Sequence, residues 1–134
     1  MKVNFEKLVW THCIPADPIV WVSVSGIDAS WRHDKGLYVG PGGKGGQDDR
    51  YAYFGKWLAA NLHRAIQVPE IGLSRGEVAF SNGRHRFAWF RDHGLLDMPV
   101  AVDPAIVESF RARFATPRPV ARQHETKFST YPSD

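Results

Sequence analysis

The sequence predicts a small α+β domain built on a mixed sheet, and three observations carry that prediction. β-Branched residues alternate at Val20, Val22 and Val24, apolar residues recur at helical spacing from Tyr51 to Ala65, and a hairpin, a helix and a strand follow one another between Val68 and Val102. Elements in such mixed order pack as layers around one core. The 134 residues, 43% hydrophobic and 23% charged, suit a single domain that buries its own core. Residues 1–116 are expected to form that domain. Residues 117–134 (PRPVARQHETKFSTYPSD), with three prolines and almost no periodicity, are expected to form an extended or mobile tail.

Along the chain, residues 18–25 (PIVWVSVS) read as a strand, because side chains two apart share a face. Residues 27–34 read as a short helix or turn with Ser25 as N-cap. Leu37, Tyr38 and Val39 make a second short apolar run, and GPGGKGG at 40–46 is the most flexible segment. A helix is expected over 50–65, its apolar face carrying Tyr51, Phe54, Leu58, Leu62 and Ala65, with Trp57 beside it. Val68, Ile71 and Leu73 form a strand despite Pro69, and a tight turn at 74–76 leads into a second strand over 77–81. A helix over 84–93 follows, with Phe87 and Phe90 toward the core, Trp89 off that face and Gly94 as its stop. Residues 98–102 are a strand. Asp103 then suits an N-cap and Pro104 a first helical position, ahead of an apolar stripe of Ile106, Phe110 and Phe114.

Composition narrows the function classes. The single Cys13 excludes a disulfide scaffold and a cysteine-rich metal or redox motif, and His12 beside it has no partner at zinc-ligand spacing. No apolar run approaches the roughly 18 residues of a membrane span, and charges interrupt the first residues where a signal peptide is apolar. A cytoplasmic protein without membrane insertion is the expectation. The net charge of +3 is too small to demand a nucleic-acid partner by itself.

The most informative segment is 81–102, SNGRHRFAWFRDHGLLDMPVAV. A strand ends in a glycine turn, and Arg84, His85 and Arg86 then open a helix. Unpaired backbone N–H groups at such a start attract anions, Gly83 lets a ligand approach the backbone, and the arginines can grip phosphate oxygens in pairs. The same pattern also suits a solvated basic turn whose arginines pair with Asp92, Asp97 or Glu77. His85 and His93 are candidate general bases for phosphodiester cleavage, although a histidine at 93 also suits a helix C-terminus.

This segment, from Asn82-Gly83-Arg84-His85-Arg86 through His93-Gly94 to the Met98-Pro99-Val100-Ala101-Val102 strand, resembles the signature of the ParB/sulfiredoxin-like superfamily. Within it, residues 31–46 (WRHDKGLYVGPGGKGG), Arg50-Tyr51 and 80–102 make the chain most similar to the plasmid fertility-inhibition factors. The resemblance implies a ParB/sulfiredoxin-like fold and a protein that restrains conjugative DNA transfer. It implies that Gly83, Arg84, His85 and Arg86 line a site for ATP or another nucleotide, with Arg84, His85 and Arg86 in catalytic roles. ATP hydrolysis, DNA cleavage or both are the implied activities. The implied partners are nucleotide, DNA and proteins of the conjugative transfer apparatus. Two departures matter. Arg84 stands where sulfiredoxins carry their reactive cysteine, and the chain is too short for the DNA-binding domain that follows this module in partition proteins.

The loop at 40–46 is a second candidate. It lacks the spacing of a P-loop, yet the N–H groups around Gly43 and Gly45 suit a phosphate, and Lys44 adds a mobile cation. A plain connector is the other reading. Asp48 and Asp49 could hold Mg²⁺ beside a bound phosphate, or simply cap the next helix. A non-catalytic inhibitor that grips DNA or a transfer protein remains the alternative to an enzyme. Exposed tryptophans beside the arginines would suit base stacking.

Overall fold

The computed structural model describes residues 5–12 and 15–117, and within them the chain runs β1 (Val9–Thr11), β2 (Ile19–Ser23), α1 (Val24–Trp31), α2 (Arg50–Ala60), β3 (Ala65–Gln67), β4 (Glu70–Ser74), β5 (Glu77–Asn82), α3 (Arg84–Asp92), β6 (Asp97–Val102) and α4 (Val107–Phe114). Four strands form a sheet in the order β2-β6-β4-β5. Strand β6 pairs antiparallel with β2 and parallel with β4, and β4-β5 is an antiparallel hairpin. The mixed sheet and the α+β class follow the sequence. A second, two-stranded sheet pairs β1 with β3 in parallel, placing Trp10 opposite Ile66.

The core fills the space between these sheets and the helices. Val20, Val22, Met98, Val100 and Val102 from the sheet join Ile27 and Trp31 of α1, Phe87 and Phe90 of α3, and Phe110 of α4, all at most 1% exposed. Aromatic edges knit the helices together, Phe54 of α2 meeting Trp89 and Phe90 of α3 edge-on at 5.7 and 5.4 Å. Such pairs add about 1 kcal/mol each beyond area burial.

Several boundaries differ from those expected, each for a local reason. Helix α1 starts at Val24 because Ser23, not Ser25, is the N-cap, its Oγ accepting the Gly26 N–H at 3.2 Å. Helix α2 ends at Ala60 instead of 65. Asn61 closes it with a side-chain bond to the Trp57 carbonyl, Leu62 is exposed, and Ala65 enters β3. Strand β4 begins at Glu70, because Val68 donates its N–H to Thr11 beside the small sheet. Helix α4 begins at Val107, since the Asp103 carboxylate accepts the Ala105 N–H at 2.8 Å and closes a turn there.

Trp89 is a correction of another kind. It is 4% exposed, because Gly55 of α2 leaves room for the indole, and a Cβ at that position would stand 2.5 Å from Trp89 Nε1. Cys13 and residues 118–134 of the expected tail lie outside the described residues. Among the described residues no helix is long and apolar enough to cross a membrane.

Candidate phosphate-binding groove

Gly83 makes the turn from β5 into α3 at φ +85°, in the left-handed region that costs an L side chain energy. A Cβ there would lie 2.9 Å from Pro69 Cα and 2.7 Å from Arg86 Nη2. Only glycine lets the turn pass this close to its neighbours. Arg86 is half-buried and donates from Nε to the Gln67 carbonyl at 3.1 Å. Arg84, also half-buried, donates from Nη1 to the Leu37 carbonyl at 2.9 Å. Both guanidiniums are therefore held by backbone oxygens. Of the carboxylates expected as alternative partners, Asp92 is bonded to Arg91, and Glu77 to Ser30 with Arg113 and His33 beside it.

His85 is 8% exposed. Its Nε2 accepts the Gln47 backbone N–H at 2.9 Å. Burial, helped by the nearby Arg84, Arg50 and Arg86 charges, pushes its pKa down to about 4. The ring is neutral at pH 7, and a donor on Nε2 places its own proton on Nδ1. It has no free lone pair with which to accept a proton. In this geometry His85 pins the 40–47 loop to α3.

Gly83, Arg84, His85 and Arg86 all line one open cavity of about 940 Å³. Gln47, ahead of α2, and Arg50, Tyr53 and Trp57 of α2 line it as well, and β1 and β3 add Thr11 and residues 65–67. Among the described residues, Arg50, Arg84 and Arg86 line it and no aspartate or glutamate does. The α3 N-terminus adds its partial positive charge to this side of the groove.

The glycine loop stands differently. Gly43, Lys44, Gly45, Asp48 and Asp49 are not among the lining residues. Gly43 (φ +90°) packs so closely that a Cβ would lie 2.7 Å from the Tyr51 ring, and Gly46 lies against the His85 imidazole. Gly40 N–H is bonded to the Lys44 carbonyl at 2.7 Å and Gly42 N–H to Asp92 Oδ2 at 2.9 Å. Gly43 and Gly46 serve close packing, and the loop is tied down. Asp49 occupies the N-cap position of α2, but its side chain makes no capping bond. Among the described residues no group of three or more His, Cys, Asp or Glu is placed to hold a metal ion.

Sequence reasoning missed what ties the loop. The Arg91 side chain, 10% exposed, donates to Asp28 Oδ1 at 2.9 Å, Asp92 Oδ1 at 2.8 Å and the Val39 carbonyl at 2.7 Å. Tyr38 and Tyr51 complete the cluster with hydroxyl bonds to Asp28 and Asp92 at 3.0 and 2.7 Å. Burial and the Asp92 bond push Tyr51 up to about 12. Burial also pushes Asp92 upward, but bonds from Arg91, Tyr51 and Gly42 outweigh it and hold the carboxyl below its ordinary value. His93 lies outside the groove, stacked on Trp89 at 3.7 Å in the C-cap position of α3.

No family model and no curated protein matches this sequence. Among solved structures, the chain is similar to the crystal structure of Oncogenic Suppression Activity Protein, a plasmid fertility inhibition factor, solved as a gold(I) cyanide derivative. The TM-score is 0.62 at 16% identity, covering 84% of this chain and 65% of that one. At this identity the likeness is one of fold.

Proposed function

We propose that the groove at the start of α3 binds phosphate esters, and that the chain is a fertility-inhibition-like protein that restrains conjugative DNA transfer. The observation that carries the proposal is the convergence of Arg50, Arg84 and Arg86 on one cavity that no carboxylate lines among the described residues. The fold likeness and the motif at 82–102, with its resemblance to the ParB/sulfiredoxin-like superfamily, support the biological setting. In this reading Arg84 and Arg86 clamp phosphate oxygens of ATP or another nucleotide, and Gly83 keeps the backbone low enough for contact. His85 positions the loop. Lys44 lies outside the groove lining and is proposed only as a further cation on the adjoining loop. Asp48 and Asp49, between the groove residues Gln47 and Arg50, are the carboxylates nearest in sequence for a phosphate-bound Mg²⁺. ATP hydrolysis and metal-dependent DNA cleavage are the activities proposed for a loaded groove.

The engaged, neutral His85 favours a second reading, in which the groove binds DNA or a transfer-apparatus protein and no turnover follows. Calorimetric titration of ATP and CTP with Mg²⁺ into the intact protein and into Arg86→Ala separates the possibilities. Binding that is lost in a folded Arg86→Ala protein supports the site. Binding without hydrolysis selects the second reading, and equal binding by both proteins rejects this placement.

A further inference from the structure

The groove is more than a cationic surface, because its α2 side is aromatic. Arg50, Tyr53, Phe54 and Trp57 recur at helical spacing, so one face of α2 carries a cation at its start and rings along its length. Tyr53 is 65% exposed, the largest exposure of any aromatic side chain among the described residues. The Trp57 ring lies nearly parallel to Phe54, with centroids 6.0 Å apart and planes 22° apart. Phe54 is in turn locked edge-on against Trp89 and Phe90. Trp57 is thus half of a stacked pair whose inner ring is fixed in the core.

An exposed tyrosine and a backed tryptophan are costly to leave facing water, and nothing about phosphate binding requires them. Flat π-faces beside cations match a ligand that alternates flat rings with phosphates. The cations also stand on two separate elements, Arg50 on α2 and Arg84 and Arg86 on α3, which suits phosphates at more than one place along a chain. Duplex DNA hides its base faces in the stack, whereas a single strand offers them.

We infer that α2 provides a base-stacking subsite, with Tyr53 and Trp57 as its platform, and that the occupant of the groove is a single strand of nucleic acid. This rests on the phosphate reading of the same groove. The stacking face selects unstacked bases, and the arginines hold the backbone on either side.

The test compares a short oligothymidylate, an abasic phosphodiester strand of equal length, the matching duplex and free thymidine triphosphate, all at low salt. The intact protein is expected to prefer oligothymidylate over the abasic strand by about tenfold, in line with the stacking of one or two bases. Tyr53→Ala, at a surface position, is expected to remove most of that preference while leaving abasic binding unchanged, and Tyr53→Phe to keep it. Trp57→Ala should act in the same direction. Equal affinity of the intact protein for the abasic and base-bearing strands overturns the stacking subsite but leaves the phosphate reading standing. Binding of the duplex or the free triphosphate as tightly as the strand overturns the single-strand assignment. Failure of every probe to bind overturns the phosphate reading itself.

Discussion

At the C-terminal end of α3, Arg91 is buried between the carboxylates of Asp28 and Asp92, whereas at the N-terminal end Arg84 and Arg86 lean on backbone carbonyls beside a groove that no acidic residue lines among the described residues. The helix dipole sharpens the contrast. A cation at a helix C-terminus is favourable by about 0.3–1 kcal/mol and one at the N-terminus is unfavourable by a similar amount. Arg91 therefore sits where charge pairing and the dipole both favour it. Arg84 and Arg86 sit where the local field opposes them. One helix thus carries a structural cation at one end and candidate binding cations at the other.

The largest effect should come from breaking the structural end. Arg91→Ala would leave Asp28, whose side chain is 8% exposed, without its buried partner and would loosen the 40–46 loop through Asp92. Removing one member of a buried pair costs about 3–5 kcal/mol, so urea unfolding should show a midpoint far below that of the intact protein. A loss under about 1 kcal/mol would mean that this cluster does not carry the load assigned to it.

Next in size is a pH effect at the pin between loop and helix. His85 has a pKa of about 4 in the folded protein against an ordinary 6.5, so the unfolded chain takes up this proton first as pH falls. The stability it contributes is present above pH 6.5, declines between 6.5 and 4, and is gone below 4. The amount is up to about 3 kcal/mol. His85→Ala should flatten the stability profile in that window, measured by denaturant unfolding at a series of pH values.

Gly83→Ala ranks third. The substituted residue must hold φ near +85° and displace Arg86 or the Pro69 backbone, at a cost of about 1–3 kcal/mol. Because the displaced group is Arg86, phosphate affinity should fall along with stability. The smallest effect on stability belongs to Arg84→Gln, which keeps a donor for the Leu37 carbonyl and removes a charge from a helix start. Its thermal midpoint should match that of the intact protein within the shift produced by about 0.5 kcal/mol.

What could be read from the sequence follows the same division between local and distant causes. The hairpin, the Gly83 turn, α3 and β6 are written in adjacent residues, and Gly83 to Arg86 were legible because turn, cation pair and helix start lie within four positions. The Arg91 cluster was not, since its partner Asp28 lies 63 positions away and carries no local signal. Strands β1 and β3 are three residues each, too short for alternation to register, and they pair across more than 50 positions. Trp89 was misplaced because helical periodicity considers one buried face, and α3 buries His85, Phe87, Ala88, Trp89 and Phe90. Gly55 held a clue. A glycine inside a helix costs about 1 kcal/mol, and here it allows two helices to meet at an indole. The α2 wall of the groove was hidden for a similar reason: Trp57 reads as core beside Phe54 and Leu58 until the neighbouring sheet and α3 are in place.

The division of α3 into a structural and a binding end is tested most directly by measuring stability and phosphate-ligand affinity together for Arg84→Gln and Arg91→Ala. The predicted pattern is crossed. Arg84→Gln should unfold like the intact protein yet bind ATP or oligothymidylate at least several-fold more weakly, and Arg91→Ala should lose stability while its folded fraction retains most of the affinity. Unchanged affinity in a fully folded Arg84→Gln protein would contradict the central claim.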